Sequence, residues 1–162
     1  MVVIYLNYLT LKKDNYTHLK KISIKKVKLT DIKFIFNLYN SAVENGFFLT
    51  SKKITFTEHK NWFLKNYNSK KTKIYICFYK SAKIGYIKFS FFDKFSSKIS
   101  IVIKKQFRKK GLASILLRNA TNLAFKRDNI RFFFAEVLKT NGLSKKFFLN
   151  NGYKLIKYRK KY

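Results

Sequence analysis

Proline is absent from this chain and cysteine occurs once, at Cys77. A single cysteine excludes an intrachain disulfide, and with only two histidines in the sequence there is no Cys/His cluster to build a structural zinc site. Glycine is nearly as scarce. The five present, Gly46, Gly85, Gly111, Gly142 and Gly152, provide neither a G-x-G-x-x-G dinucleotide fingerprint nor a G-x-x-x-x-G-K-[ST] phosphate loop. No apolar run approaches the roughly 18 residues needed to span a bilayer, and the apolar start from Met1 to Leu11 lacks a basic region and a small-residue cleavage site. The expected location is therefore the cytosol. Internal repeats, low-complexity tracts and Pro-rich or Gly/Ser-rich linkers are also missing, so 162 residues, 47% of them hydrophobic, read as one globular domain.

Acidic residues are scarce too. Against 37 Lys and Arg there are seven Asp and Glu, for a formal charge of +30. Such a charge invites a nucleic-acid partner, because neutralising phosphates dominates that kind of binding. The lysines are nevertheless spread along the whole chain instead of forming one arm or one helix face. Lys, Asn, Ile, Phe and Tyr are abundant together while Pro, Gly and Ala are not, which is the signature of A/T-rich codons. We read the charge as codon usage and expect no specific nucleic-acid partner, although the field will still concentrate anionic ligands such as nucleotide sugars and coenzymes.

The pattern becomes orderly from Lys21; residues 1–20 read as an N-terminal extension of unknown role, an extra strand among the options. Ile22, Ile24 and Val27 suggest a strand. Thr30 is a cap for a helix carrying Ile32, Ile35, Phe36 and Tyr39, which Asn45-Gly46 breaks. Thr55-x-x-Glu58 fits a capping box opening a second helix with His59, Trp62 and Phe63. A hairpin follows, Lys73–Tyr79 and Ile84–Phe92 around Ser81-Ala-Lys, then a strand over Lys98–Ile103. Ala113, Leu116, Leu117, Ala120, Leu123 and Ala124 mark a helix; Arg131–Leu138 reads as a fully buried strand; a short helix stops at Asn151-Gly152; Tyr153–Tyr158 reads as an edge strand. The order β-α-α-β-β-β-α-β-α-β describes a mixed α/β sandwich.

The most telling stretch joins the strand ending Ile101-Val102-Ile103 to the helix through Lys104-Lys105-Gln106-Phe107-Arg108-Lys109-Lys110-Gly111-Leu112-Ala113-Ser114. A strand running through a basic turn into a helix with small residues at its entry is a cradle for pyrophosphate: backbone can approach the ligand, and exposed first-turn N–H groups and the positive helix end favour an anion. Arg108-x-x-Gly111-x-Ala113 resembles the R/Q-x-x-G-x-G/A acetyl-CoA signature of the GCN5-related N-acetyltransferase (GNAT) superfamily. Glu136-Val-Leu-Lys-Thr-Asn141 and the short helix ending in Gly152-Tyr153 resemble the second half of the same fold. The resemblance covers roughly residues 22 to 158 and implies a GNAT-type acyl-CoA N-acyltransferase fold, a central, mostly antiparallel sheet flanked by helices, with residues 21–162 as the N-acetyltransferase domain.

The resemblance also distributes roles. It implies acetyl-CoA as co-substrate, with no metal. Backbone of Ile101, Val102 and Ile103 would line the pantetheine arm, one N–H polarising the acetyl carbonyl. Arg108 and the amides of Lys109, Lys110, Gly111, Leu112, Ala113 and Ser114 would hold the pyrophosphate, and Asn141 would bond the coenzyme near its pantetheine end. Glu136, the only acid in a strongly apolar strand, is the candidate general base, since burial would raise its pKa toward a useful value; pairing with one of the many cations is the competing account. Phe148 stands where many relatives carry a Tyr that protonates the leaving thiolate, and a phenyl ring has no proton to give; Tyr153 or water is left for that task.

Residues 54–63 resemble the E-H-x-x-W/F helix of acetyltransferases acting on nucleotide-linked 4-amino sugars of the pseudaminic acid pathway, which makes His59 a candidate acceptor contact. The acceptor expected first is thus a nucleotide-activated amino sugar in a pocket closed by residues 43–53. A ribosomal-protein or protein N-terminal acetyltransferase is the second expectation; a basic nucleic-acid-binding module and a catalytically silent acyl-CoA-binding relative are the others. Cys77, in an alternating strand with nothing beside it to activate a thiol, reads as a half-buried structural residue.

Overall fold

The computed structural model describes residues 1–10, 21–48 and 50–158. Seven strands and four helices follow one another as β1 (Val2–Asn7), β2 (Ile22–Lys26), α1 (Ile32–Glu44), α2 (Phe56–Tyr67), β3 (Thr72–Tyr79), β4 (Ala82–Phe91), β5 (Ser96–Ile103), α3 (Leu112–Asp128), β6 (Phe132–Val137), α4 (Gly142–Asn150) and β7 (Lys154–Tyr158). The strands form one sheet in the order β2-β3-β4-β5-β6-β1-β7. All pairings are antiparallel except β5 with β6, which is parallel. This is the mixed sheet the sequence predicts, and β7 is the expected edge strand.

The first strand is the surprise. Val2–Asn7, from the segment the sequence leaves unplaced, lies inside the sheet between β6 and β7, antiparallel to both. Its alternation explains the position: Val2, Ile4 and Leu6 are buried in the larger core, and Val3 and Tyr5 point to the other face. Residues 11–20 of the expected extension lie outside the described residues.

Helices cover the two faces unequally. On one face α3 and α4 pack Leu112, Leu116, Leu117, Ala120, Ala124 and Phe148 onto strand residues from across the sheet, including Ile4, Ile87, Phe89, Ile99, Phe133 and Ala135. On the other, α1 and α2 contribute Ile35, Leu38, Ala42 and Phe63, which cover Ile74, Ile76, Tyr86 and Val102 of β3, β4 and β5. That second core contains no residue of β6, β1 or β7. Consequently β6 is not buried on both faces as its apolar run predicts: Phe133, Ala135 and Val137 are buried, while Phe132, Phe134 and Glu136 are only partly so.

Local chemistry sets the helix ends. Thr55 and Glu58 form the expected reciprocal cap of α2, Thr55 Oγ1 accepting from the Glu58 N–H and Glu58 Oε2 from the Thr55 N–H at 2.7 Å. Thr30 does not cap α1; a 3₁₀ turn over Leu29–Asp31 precedes it, and Asp31 accepts from the Lys28 N–H at 2.8 Å. Gly85 lies tight against β5: an added Cβ would lie 2.3 Å from the Val102 carbonyl oxygen.

Candidate active site

Strands β5 and β6 begin side by side and then part. Their ladder covers only Ser96 to Lys98 against Phe132 to Phe134, while β5 remains paired with β4 as far as Ile103. Beyond Lys98, β5 therefore presents one edge to a gap, lined by Ile99–Ile103 on one side and Ala135–Val137 on the other. An exposed strand edge inside a sheet can take an extended, amide-bearing ligand as an added strand. Ile101, Val102 and Ile103 stand on that lip.

At the end of β5 the chain makes a 3₁₀ turn over Lys105–Phe107 and enters α3 through two left-handed residues, Lys109 (φ 59°) and Gly111 (φ 73°). A Cβ on Gly111 would meet nothing within 4 Å, so the glycine is required by its backbone conformation and not by crowding. No side chain caps α3 and its first turn holds no acid. The Ser114 and Ile115 amides bond back to the Gly111 carbonyl, leaving the amides of Gly111, Leu112 and Ala113 outside the helix ladder, the kind of group that suits an anion. Ser114 thus drops out as an amide donor, and its hydroxyl accepts from Asn151 Nδ2 at 3.0 Å.

Lys109 and Lys110 are exposed around this turn. Arg108 is not free to join them by its Nε, which donates to the Ile103 carbonyl at 2.8 Å, while the guanidinium lies 4.6 Å from the centre of the Phe47 ring. Burial lowers its pKa. Arg108 pins the end of β5 and the loop after α1 to the turn, a positioning role the motif alone did not disclose.

Asn141 caps α4: its Oδ1 accepts from the Ser144 N–H at 3.0 Å, and the residue is buried. Its Nδ2 is buried with no partner. A buried amide donor left unpaired costs roughly 1–3 kcal/mol, and a carbonyl of a bound ligand would satisfy it. Asn141, the lip of β5 and the open end of α3 thus each present unpaired backbone or amide donors. Phe148 is buried, its ring 4.9 Å from that of Tyr153, whose hydroxyl is likewise buried and unpartnered. Burial pushes the Tyr153 hydroxyl well above the ordinary tyrosine range, which makes it a poor proton donor.

Glu136 lies on the opposite lip, on the face left uncovered by α1 and α2. It lines a cavity of about 470 Å³ with Val3, Ser90, Phe92, Lys98, Phe134 and Ile156. The carboxylate is not isolated in an apolar strand: it is 25% exposed and ion-paired with Lys98 Nζ at 3.1 Å. Every other described acid is committed elsewhere, Asp31 to Lys83, Glu44 to Lys53, Asp128 to Lys73, Glu58 to the α2 cap and Asp93 to the Phe95 amide. Glu136 is the only carboxylate among the described residues that faces this cavity.

His59 is not beside it. The ring is buried among Phe36, Trp62 and Phe63, and its Nε2 lies 3.1 Å from the Ile32 carbonyl oxygen, to which it donates. It is a core histidine joining α2 to the start of α1, and desolvation lowers its pKa. Cys77 is fully buried with its thiol pKa pushed up. Sequence reasoning missed Val3, opposite Glu136 in register, and Lys98, whose pairing arises only when β5 and β6 meet. No helix is long and apolar enough to cross a membrane, and no group of three or more His, Cys, Asp or Glu could hold a metal, in both cases among the described residues.

The profile of the acetyltransferase (GNAT) family matches residues 33–153. Among solved structures, the chain is similar to the spermidine N-acetyltransferase of Vibrio cholerae in complex with CoA and spermine (TM-score 0.73, 18% identity, 82% of this chain and 80% of that one). It is similar also to the N-acetyltransferase PseH of Campylobacter jejuni (TM-score 0.66, 22% identity, 86% and 92%) and to a putative phosphinothricin N-acetyltransferase (TM-score 0.69, 21% identity, 80% and 81%). No curated protein matches the sequence.

Proposed function

The chain belongs to the acetyltransferase (GNAT) family, and from that premise we propose that it transfers the acetyl group of acetyl-CoA to the primary amine of a nucleotide-activated amino sugar, by direct attack within a ternary complex. The observation that carries this reading is the gap between β5 and β6, with an unsatisfied Asn141 amide beside it, the uncapped end of α3 at one end and Glu136 on the far lip.

Bound acetyl-CoA supplies an activated thioester. The residues of the chain then have separate tasks. Gly111, Leu112 and Ala113 amides hold the pyrophosphate, with Lys109 and Lys110 adding charge. The free edge of β5 aligns the pantetheine arm, and a β5 N–H stabilises the oxyanion as the amine nitrogen forms its bond to the acetyl carbon and the C–S bond breaks. Glu136 accepts the ammonium proton of the acceptor, Lys98 keeping the carboxylate in place. Phe148 cannot protonate the thiolate and the buried Tyr153 hydroxyl is too weak an acid, so the proton comes from water. The flat rings of Phe92, Phe134 and Tyr5, packed at centroid distances of 5.4–5.5 Å, offer a stacking surface for a sugar or base. The CoA held by the Vibrio cholerae relative and the likeness to PseH support the same reading.

The test is a calorimetric titration of acetyl-CoA at about 0.3 M salt, where screening over roughly 6 Å suppresses non-specific phosphate attraction. Saturable binding by wild type that Gly111→Trp abolishes supports the coenzyme site. Binding indifferent to the substitution, or none, refutes it.

A further inference from the structure

A second cation stands beside the Lys98–Glu136 pair. In the β4–β5 ladder Lys88 is opposite Ser100 and Ser90 is opposite Lys98, and Lys98 is level with Phe134 of β6. Residues opposite one another share a face, and so do residues two apart on a strand. Lys88, Ser90, Lys98, Ser100 and Glu136 therefore form one polar row on the sheet face that carries the cavity. Lys88 lies at the covered end of the row, its Nζ 5.2 Å from the centre of the Trp62 ring.

The charges in this row do not balance. Glu136 is already matched by Lys98, and among the described residues no carboxylate is ion-paired with Lys88. Burial first, and the charge of Lys98 second, push the Lys88 pKa down. A lysine on an open surface needs no partner; one pressed under an indole, beside a second lysine, is costly until an anion arrives.

We propose that Lys88 and Lys98 together hold an anionic group of the acceptor, and that the molecule acetylated here is an amine carrying phosphate. This rests on the transferase reading and assigns the side chains that hold the acceptor's phosphate. A phosphate anchored on Lys88 and Lys98 would fix the acceptor with its amine toward Glu136 and its rings over Phe134. The same charges disfavour a polyamine: a multiply positive chain would meet two lysines and a single carboxylate that is already paired, inside a molecule of charge +30. The likeness to the spermidine acetyltransferase, at 18% identity, is a likeness of fold.

The experiment uses the full chain saturated with CoA, so that the turn at Gly111 is filled, and titrates inorganic pyrophosphate by calorimetry at about 0.3 M salt. The expected result is one saturable site, weakened at least tenfold in Lys88→Met and in Lys98→Met, retained in Lys88→Arg, and unaffected by Lys94→Met. Methionine preserves the packing of the Lys88 stem under Trp62, and thermal melts confirm folding. Equal affinity in wild type and Lys88→Met, or no saturable site, overturns the proposal. Turnover assays with glucosamine 6-phosphate, glucosamine and spermidine separate the two levels. Acetylation of spermidine in preference to the phosphorylated amine leaves acetyl transfer from acetyl-CoA standing and removes the amino-sugar acceptor together with this proposal. Pyrophosphate binding that depends on Lys88, with no CoA binding, does the reverse; Gly111→Trp then serves to eliminate the α3 turn as the pyrophosphate site.

Discussion

One face of the sheet has two fates. Over β3, β4 and β5, Ile76 and Tyr86 are sealed beneath α1 and α2; over β6 and β1, residues of the same apolar character, Phe134, Tyr5 and Val3, have no helix above them among the described residues. The strands are alike in composition, so the difference comes from what lies on top of them. In the covered half apolar side chains stabilise the fold. In the uncovered half they form a floor open to a ligand, and there stands Glu136, the one carboxylate among the described residues not committed elsewhere. Apolar area left to a ligand contributes to affinity instead of stability, at roughly 25 cal/mol per Å² before the cost of association.

Substitutions in the two halves should separate those contributions. The largest effect falls on Glu136: Glu136→Gln is expected to lower kcat/KM for the amine by about 10²–10⁴-fold, the usual worth of a general base, with acetyl-CoA affinity by calorimetry unchanged. On the covered half, Ile76→Ala should cost about 2–5 kcal/mol in denaturant unfolding. Phe134→Ala, on the same face but uncovered, should cost clearly less stability and raise KM for the acceptor several-fold; equal stability losses at the two positions would erase the distinction. Between the halves, Gly85→Ala drives a methyl group into the Val102 carbonyl and should destabilise by about 1–3 kcal/mol while weakening coenzyme binding through β5.

The smallest effect is a pH dependence. The buried neutral His59 has a pKa below its unfolded value near 6.5. The unfolded chain thus binds a proton that the folded one refuses, and stability is complete above about pH 6.5 and declines as pH falls below it. Thermal melts between pH 5 and 8 should show this slope in wild type, and His59→Gln should flatten it.

The elements that local chemistry specifies were legible in the sequence. The Thr55/Glu58 cap, the helix through Leu116 and Leu117, the β3–β4 hairpin and the Gly111 turn all depend on residues close in the chain. Arg108, Gly111 and Asn141 could be named because their motifs are local as well. What the sequence could not disclose depends on long-range pairing. An apolar run such as Phe132–Val137 looks the same whether a helix covers one face or two, and only the partners of β6 show that Glu136 meets Lys98. The strand Val2–Asn7 carries ordinary alternation; nothing within it says that it belongs between β6 and β7. His59 resembled an acceptor contact by its segment, yet its depth is set by α1, whose Ile32 carbonyl receives its proton.

The most direct test of the central claim, that coenzyme occupies the gap between β5 and β6 and the open end of α3, is amide hydrogen exchange with and without acetyl-CoA. Protection should appear on the free edge of Ile101–Ile103 and at Gly111, Leu112 and Ala113, with little change in β2 or β3. Protection confined to scattered lysine-rich surface, or absent at Gly111–Ala113, would contradict the account.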